Sequence, residues 1–213
     1  EGMSEIEAGG LMIALSAPMA VVPFLAGLLA RRIPAAVLSA VGLVIAALGL
    51  GWLAAVPVGA GAATLALPML VIGIGTGLPW GLMDDLSVSV VPRERAGMAT
   101  GIFSTMRVAG EAVAIAAAGA LVVALGQSGL HRAAGGEAGV ADAVNALAGG
   151  DMGRAEALLP GLGRAALAQA YGAAFQAMLA VLVVATLAAA LVAYILLRRR
   201  ERVLKPAEAC EAR

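Results

Sequence analysis

Gly73–Glu111 reads GIGTGLPWGLMDDLSVSVVPRERAGMATGIFSTMRVAGE, two long apolar segments joined by a short basic turn. The few polar residues inside those segments recur at helical spacing. Trp80, Asp84 and Ser87 are four and three apart, so they share one face of a helix. Thr100, Ser104, Arg107 and Glu111 repeat at four, three and four, which makes a continuous polar stripe on the next helix. Asp, Arg and Glu inside a membrane are costly. Their stripe must therefore face protein or a water-filled cavity rather than hydrocarbon.

The rest of the chain places these segments in a membrane. Hydrophobic residues make up 62% and charged residues 13%, and the mean hydropathy is +0.96. A soluble domain carries about 25% charge and about 45–50% apolar residues. The excess here is gathered into runs of roughly 20 residues or more, the length that crosses a bilayer's hydrocarbon core. Five transmembrane helices are predicted at about 8–30, 35–55, 64–91, 96–125 and 171–197. Between the last two lies a loop over 126–170, with a short amphipathic helix near Val140–Ala148 and an approach helix from Arg154. The runs are continuously apolar, so the alternation of a β-barrel strand is absent. The fold class expected is an all-α integral membrane protein.

Charge gives an orientation. Arg31 and Arg32 lie between the first two spans, Arg93 and Arg95 between the third and fourth, and Arg198, Arg199, Arg200, Arg202 and Lys205 follow the fifth. Val56–Ala63 has no charge, and the N-terminal flank is acidic at Glu5 and Glu7. The excess of arginine predicts that the three basic segments are cytoplasmic. Residues 1–200 then form a transmembrane domain, 201–213 a cytoplasmic tail, and 126–170 faces outward.

Other features narrow the chemistry. Cys210 is the single cysteine and His131 the single histidine, so no Cys/His metal cluster is expected, and His131 reads as a solvated loop residue. There is no P-loop glycine pattern ending in Lys-Ser/Thr and no nucleophile–base pairing. The expectation is no enzyme activity, no cofactor and no metal. With a formal net charge of zero, no nucleic-acid partner is expected. The chain opens at Glu1 with no initiator Met and no basic n-region, so its first apolar run does not read as a signal peptide. A fragment, or a true start further upstream, is expected.

The spans divide by polarity. The second (AAVLSAVGLVIAALGLGWLAA) and fifth (FQAMLAVLVVATLAAALVAYILL) offer little beyond Ser39, Gln176 and Thr186, and suit a lipid-facing shell. The third and fourth carry the polar residues and the small-residue steps Gly73-Gly77-Gly81 and Gly97-Gly101, which let helices approach closely in lipid. Pro79 invites a kink in the third. Close packing and hinge motion are both open readings of that helix. Glu111 lies roughly four turns inside its span from Ala96. A carboxyl there could change protonation according to whether Arg107 is near, which makes the pair candidates for proton coupling. Trp80, Asp84, Thr100 and Ser104 are candidate cavity or gate residues. Against this, Asp84 and Asp85 could serve only to pair with Arg93 or Arg95 at the interface, and Arg107 could be a structural clamp.

SEIEAGGLMIALSAPMAVVPFLAGLLARRIP (residues 4–34) resembles a helix and basic turn in the C-terminal half of major facilitator superfamily transporters. VPRERAGMATGIFSTMRVAGEAVAIA (residues 91–116) resembles the turn and penultimate helix of the fourteen-helix drug:proton antiporter (QacA/EmrB-like) family. The long loop before the last helix and the basic tail are also similar. The resemblance implies five helices forming most of the C-terminal helical half of such a fold, within a bacterial inner membrane. The third helix would line a cavity, the first and fourth would meet the missing N-terminal half, and the second and fifth would be outer supports. It implies proton-coupled efflux of small amphiphilic compounds by alternating access. Two alternatives stand beside that reading: transport of a sugar, organic acid or other metabolite, and a transport-incompetent membrane protein that packs with a partner.

Overall fold

The computed structural model describes residues 5–57, 59–89, 92–133 and 139–211, with side chains described except at 5, 84–89, 93, 132–133 and 200–211. Seven α-helices run α1 (Glu5–Ala30), α2 (Ala35–Ala55), α3 (Ala62–Ser89), α4 (Ala96–Ala133), α5 (Val140–Ala148), α6 (Met152–Leu158) and α7 (Arg164–Glu211). No strand occurs among the described residues. Five helices are long and apolar enough to cross a membrane, over Ile6–Ala30, Ala35–Ala55, Ala62–Met83, Ala96–His131 and Arg164–Arg199. The protein is an all-α membrane-type fold.

The chain forms two compact units. One comprises 2–53, 61–100 and 182–213, and holds α1, α2 and α3. Here α3 is packed on two sides. Side chains added at Gly73, Gly77 and Gly81 would collide with α1: at Gly73 with Leu15 O and, at 3.3 Å, Pro18 Cγ; at Gly77 with Val22 Cβ at 2.9 Å; at Gly81 with Pro23 Cα at 2.9 Å. On the other side Gly75 abuts Ala46 and Gly42 of α2, and Gly49 of α2 sits against Ile72 and Pro68. At about 100° per residue these two rows lie on roughly opposite sides of α3. Glycine is needed here because backbone meets backbone, with no room for even a methyl group. Two of the proline rings, Pro18 and Pro23, are themselves contact surfaces for the α3 glycines.

α2 is two-faced, though its sequence is almost uniformly apolar. Ala36, Leu38, Ser39, Gly42, Ala46, Ala47 and Gly49 are buried, while Val37, Val41, Val44, Leu48 and Trp52 are exposed at helical spacing. The exposed face suits lipid; the small-residue face is the seam with α3. Tight basic turns connect α1 to α2, where Ile33 N donates to Leu29 O at 2.9 Å, and precede α4, where Arg95 N donates to Pro92 O at 2.9 Å. Arg31, Arg32 and Arg95 are exposed. Near the other end of α7's apolar run, Arg198 donates from Nη1 to the Tyr194 hydroxyl at 2.6 Å and lies over its ring.

The second unit comprises 54–60 and 101–181. It differs from the expected loop over 126–170, since α4 continues to Ala133 and α7 begins at Arg164. His131 is exposed on the last turns of α4 rather than in a loop. With 38 residues, α4 is roughly 57 Å long, well beyond the roughly 30 Å of hydrocarbon. Its last turns and the start of α7 join α5 and α6 in one apolar core of Leu130, Val140, Ala143, Val144, Ala146, Leu147, Ala155, Leu159 and Leu167. Gln176 of α7 donates from Nε2 to Val56 O at 3.2 Å, tying α7 to the chain just after α2.

Candidate functional site

The candidate residues fall on α3 and α4. On α3, Trp80 is partly exposed, and the side chain of Asp84 lies outside the described residues. Trp80 lies on α3 beside the row of glycines that packs on α1. The small residues of α3 therefore hold helices together.

On α4 the four stripe residues share one face, roughly 6 to 23 Å along the helix from Ala96. The helix forms here because the segment is rich in alanine and punctuated only by glycines, with no proline between Ala96 and Ala133. Thr100 donates its hydroxyl to Ala96 O at 2.9 Å, so what it offers a ligand is an acceptor oxygen. Thr105 does the same to Gly101 O. Ser104 and Arg107 are half-buried, and Glu111 is exposed. The Arg107 guanidinium stands 5.9 Å from the centroid of the Phe103 ring, one turn back. That cation–π contact gives Arg107 a resting place on its own helix. Phe103 was not singled out in the sequence, although its spacing four residues before an arginine was the available signal.

Chemically, the stripe presents a fixed cation, a carboxylate and two hydroxyls along one side of a membrane-length helix. It could bind a polar group or hold and release a proton. α4 has the least buried apolar run of the five candidate spans. Ile102, Met106 and Val113 are exposed on the side opposite the stripe, as lipid-facing residues would be. Gly97 and Gly101, unlike the α3 glycines, have nothing within 4 Å of an added Cβ. No group of three or more His, Cys, Asp or Glu that could hold a metal occurs among the described residues. Elsewhere, a polar depression of about 280 Å³ is lined by Asp142, Asn145, Ala146, Gly149, Asp151 and Arg154. It is the outer surface of the α5–α6 turn.

Comparison with known proteins bears on this arrangement. Residues 1–115 match the family model of the Major Facilitator Superfamily, a stretch that takes in α1–α3 and the whole α4 stripe. Over 130 residues the chain is 33% identical to the Uncharacterized transporter YebQ of Escherichia coli (strain K12). That alignment covers 61% of this chain and 28% of the relative, so the chain spans well under half of that protein's length. No solved structure matches. On the family match over more than half its length, together with its five membrane-length helices, the chain belongs to the Major Facilitator Superfamily of membrane transporters.

Proposed function

We propose that this chain supplies helices of the C-terminal half of a secondary active transporter that exchanges protons for small amphiphilic compounds by alternating access. The carrying observation is the α4 stripe. A cation and a carboxylate sit within a membrane-length helix that buries almost none of its span. Hydrocarbon cannot solvate them, so in the bilayer they meet water or further protein. Transporters of this architecture bind at the midplane between two helical halves. The 28% coverage of the relative leaves ample chain for such a partner half.

In this reading Glu111 takes up a proton when the stripe opens to one side and releases it when the stripe opens to the other. Arg107, four residues before Glu111 on the same face of α4, is the supporting residue of that coupling. Thr100 and Ser104, with Trp80 and Asp84 on α3, are cavity or gate residues. The basic turns and the C-terminus face the cytoplasm of a bacterial inner membrane, by the bias of arginine to that side. Residues 1–200 are the transmembrane domain and 201–213 the cytoplasmic tail. The bilayer, the N-terminal half, protons and the exported compound are the partners.

The test is Glu111→Gln in the full-length protein, followed by efflux of a fluorescent apolar cation such as ethidium from energised vesicles. Proton-driven efflux is expected to disappear while membrane insertion is unchanged. Unaltered efflux removes Glu111 from the mechanism. Competition only among sugars or organic acids would replace the amphiphile reading with metabolite transport.

A further inference from the structure

A group of fully buried side chains is gathered at the end of α4 remote from the Arg93–Arg95 turn. Leu130, Ala143, Val144, Ala155, Leu159 and Leu167 have no measurable exposure. They come from four different elements, the end of α4, α5, α6 and the start of α7. A lid that lifts would be held by few apolar contacts; this one closes a small core of its own.

The backbone joining α5 to α6 is equally fixed. Gly150 has a φ of +82°, its N–H donates to Leu147 O at 3.0 Å, and Asp151 N donates to Ala146 O at 2.8 Å. These two bonds are a Schellman C-cap, in which a left-handed residue satisfies the last carbonyls of a helix. The next step reuses Asp151, whose Oδ1 accepts from Arg154 N at 2.9 Å and caps the start of α6. One residue thus ends one helix and begins the next, leaving no slack linker between them. Below, Gly126 of α4 faces both Val144 of α5 and Ala174 of α7. A Cβ on Gly126 would lie 3.0 Å from Val144 Cγ1 and 4.0 Å from Ala174 Cβ.

We propose that α5 and α6 are a fixed clamp that locks the remote ends of α4 and α7 into one moving body. The consequence for transport rests on the function proposed above. Opening at this end occurs beside the α4–α7 pair, never between its two members. The polar stripe is then carried by a two-helix unit rather than by α4 alone.

Hydrogen exchange on the unaltered protein in lipid nanodiscs decides the clamp itself. The amides of residues 144–148 are expected to exchange at least about 100-fold more slowly than in an unstructured chain, because their exposure requires the core to open. Slowing by less than that overturns the clamp. The consequence is read with Gly126→Cys/Ala174→Cys in a Cys210→Ser background of the full-length protein. The 4.0 Å separation falls within the disulfide range of about 3.5–4.5 Å between Cβ atoms. Ethidium efflux at equal rates in the oxidised and reduced forms supports a single body. Efflux lost on oxidation and regained on reduction shows that α4 and α7 must part, and overturns it. Absence of efflux in both forms counts against the transporter reading, while the exchange result still decides the clamp.

Discussion

Replacing Gly75 by alanine places a methyl group where backbone already stands. The new Cβ would meet Ala46 N, Ala46 Cα at 2.7 Å and Gly42 O at 2.7 Å, all main-chain atoms of α2. None of them can swing aside as a side-chain tip could. Restoring ordinary contact at about 3.5–4.0 Å requires α2 and α3 to part by about 1 Å, and a gap of that size forfeits roughly a quarter to a half of each dispersion contact along the seam. Overpacking of this kind costs about 1–3 kcal/mol. Alanine's better helix propensity returns up to about 1 kcal/mol. With the full propensity gain, the net expectation for Gly75→Ala is a loss of up to about 2 kcal/mol. Gly27→Ala on α1 is the control, since nothing lies within 4 Å of its added Cβ. There only propensity acts, giving no change or a gain of up to about 1 kcal/mol. Unfolding by SDS in mixed micelles, followed through Trp52 and Trp80 fluorescence, compares the two. Equal stability of Gly75→Ala and Gly27→Ala would refute the argument that this seam is closed backbone to backbone.

Gln176→Leu removes the hydrogen bond to Val56 O, and the same titration should register a loss near 0.6 kcal/mol, the mean for such bonds between membrane helices. Leu167→Ala, emptying a fully buried position of the cap core, should cost about 2–5 kcal/mol. Hydrogen exchange should then quicken in α5 and α6 while α1–α3 remain as slow as before. Faster exchange spread evenly over all helices would contradict a separate cap core.

Much of the architecture follows from hydropathy, because in a bilayer a run of about 20 apolar residues has few alternatives to a helix. The amphipathic α5 was legible over Val140–Ala148 for the opposite reason, since water on one side leaves a strong contrast between faces. Contrast is what α2 lacks. Val41 and Gly42 differ little in polarity, yet one is exposed and the other forms the α3 seam. Only residue size separates them, and size is a weaker signal than charge. The extensions of α4 and α7 were hidden because Gln127, Ser128 and His131 interrupt the apolar run. Those residues interrupt the apolar run but not the helix, which Leu130 and Leu167 hold by burial in the cap. At the candidate site, spacing gave the face shared by Thr100, Ser104, Arg107 and Glu111. It did not give the contact of Arg107 with Phe103, which depends on where a long side chain comes to rest.

The central claim is that the α4 stripe lines a watery path while the opposite face meets lipid. Single cysteines at Thr100, Ser104, Ile102 and Met106, in a Cys210→Ser background of the full-length protein, can be exposed in sealed vesicles to a membrane-impermeant thiol reagent. The account predicts labelling at Thr100→Cys and Ser104→Cys and none at Ile102→Cys or Met106→Cys. Equal labelling on both faces, or none at the stripe, would contradict it.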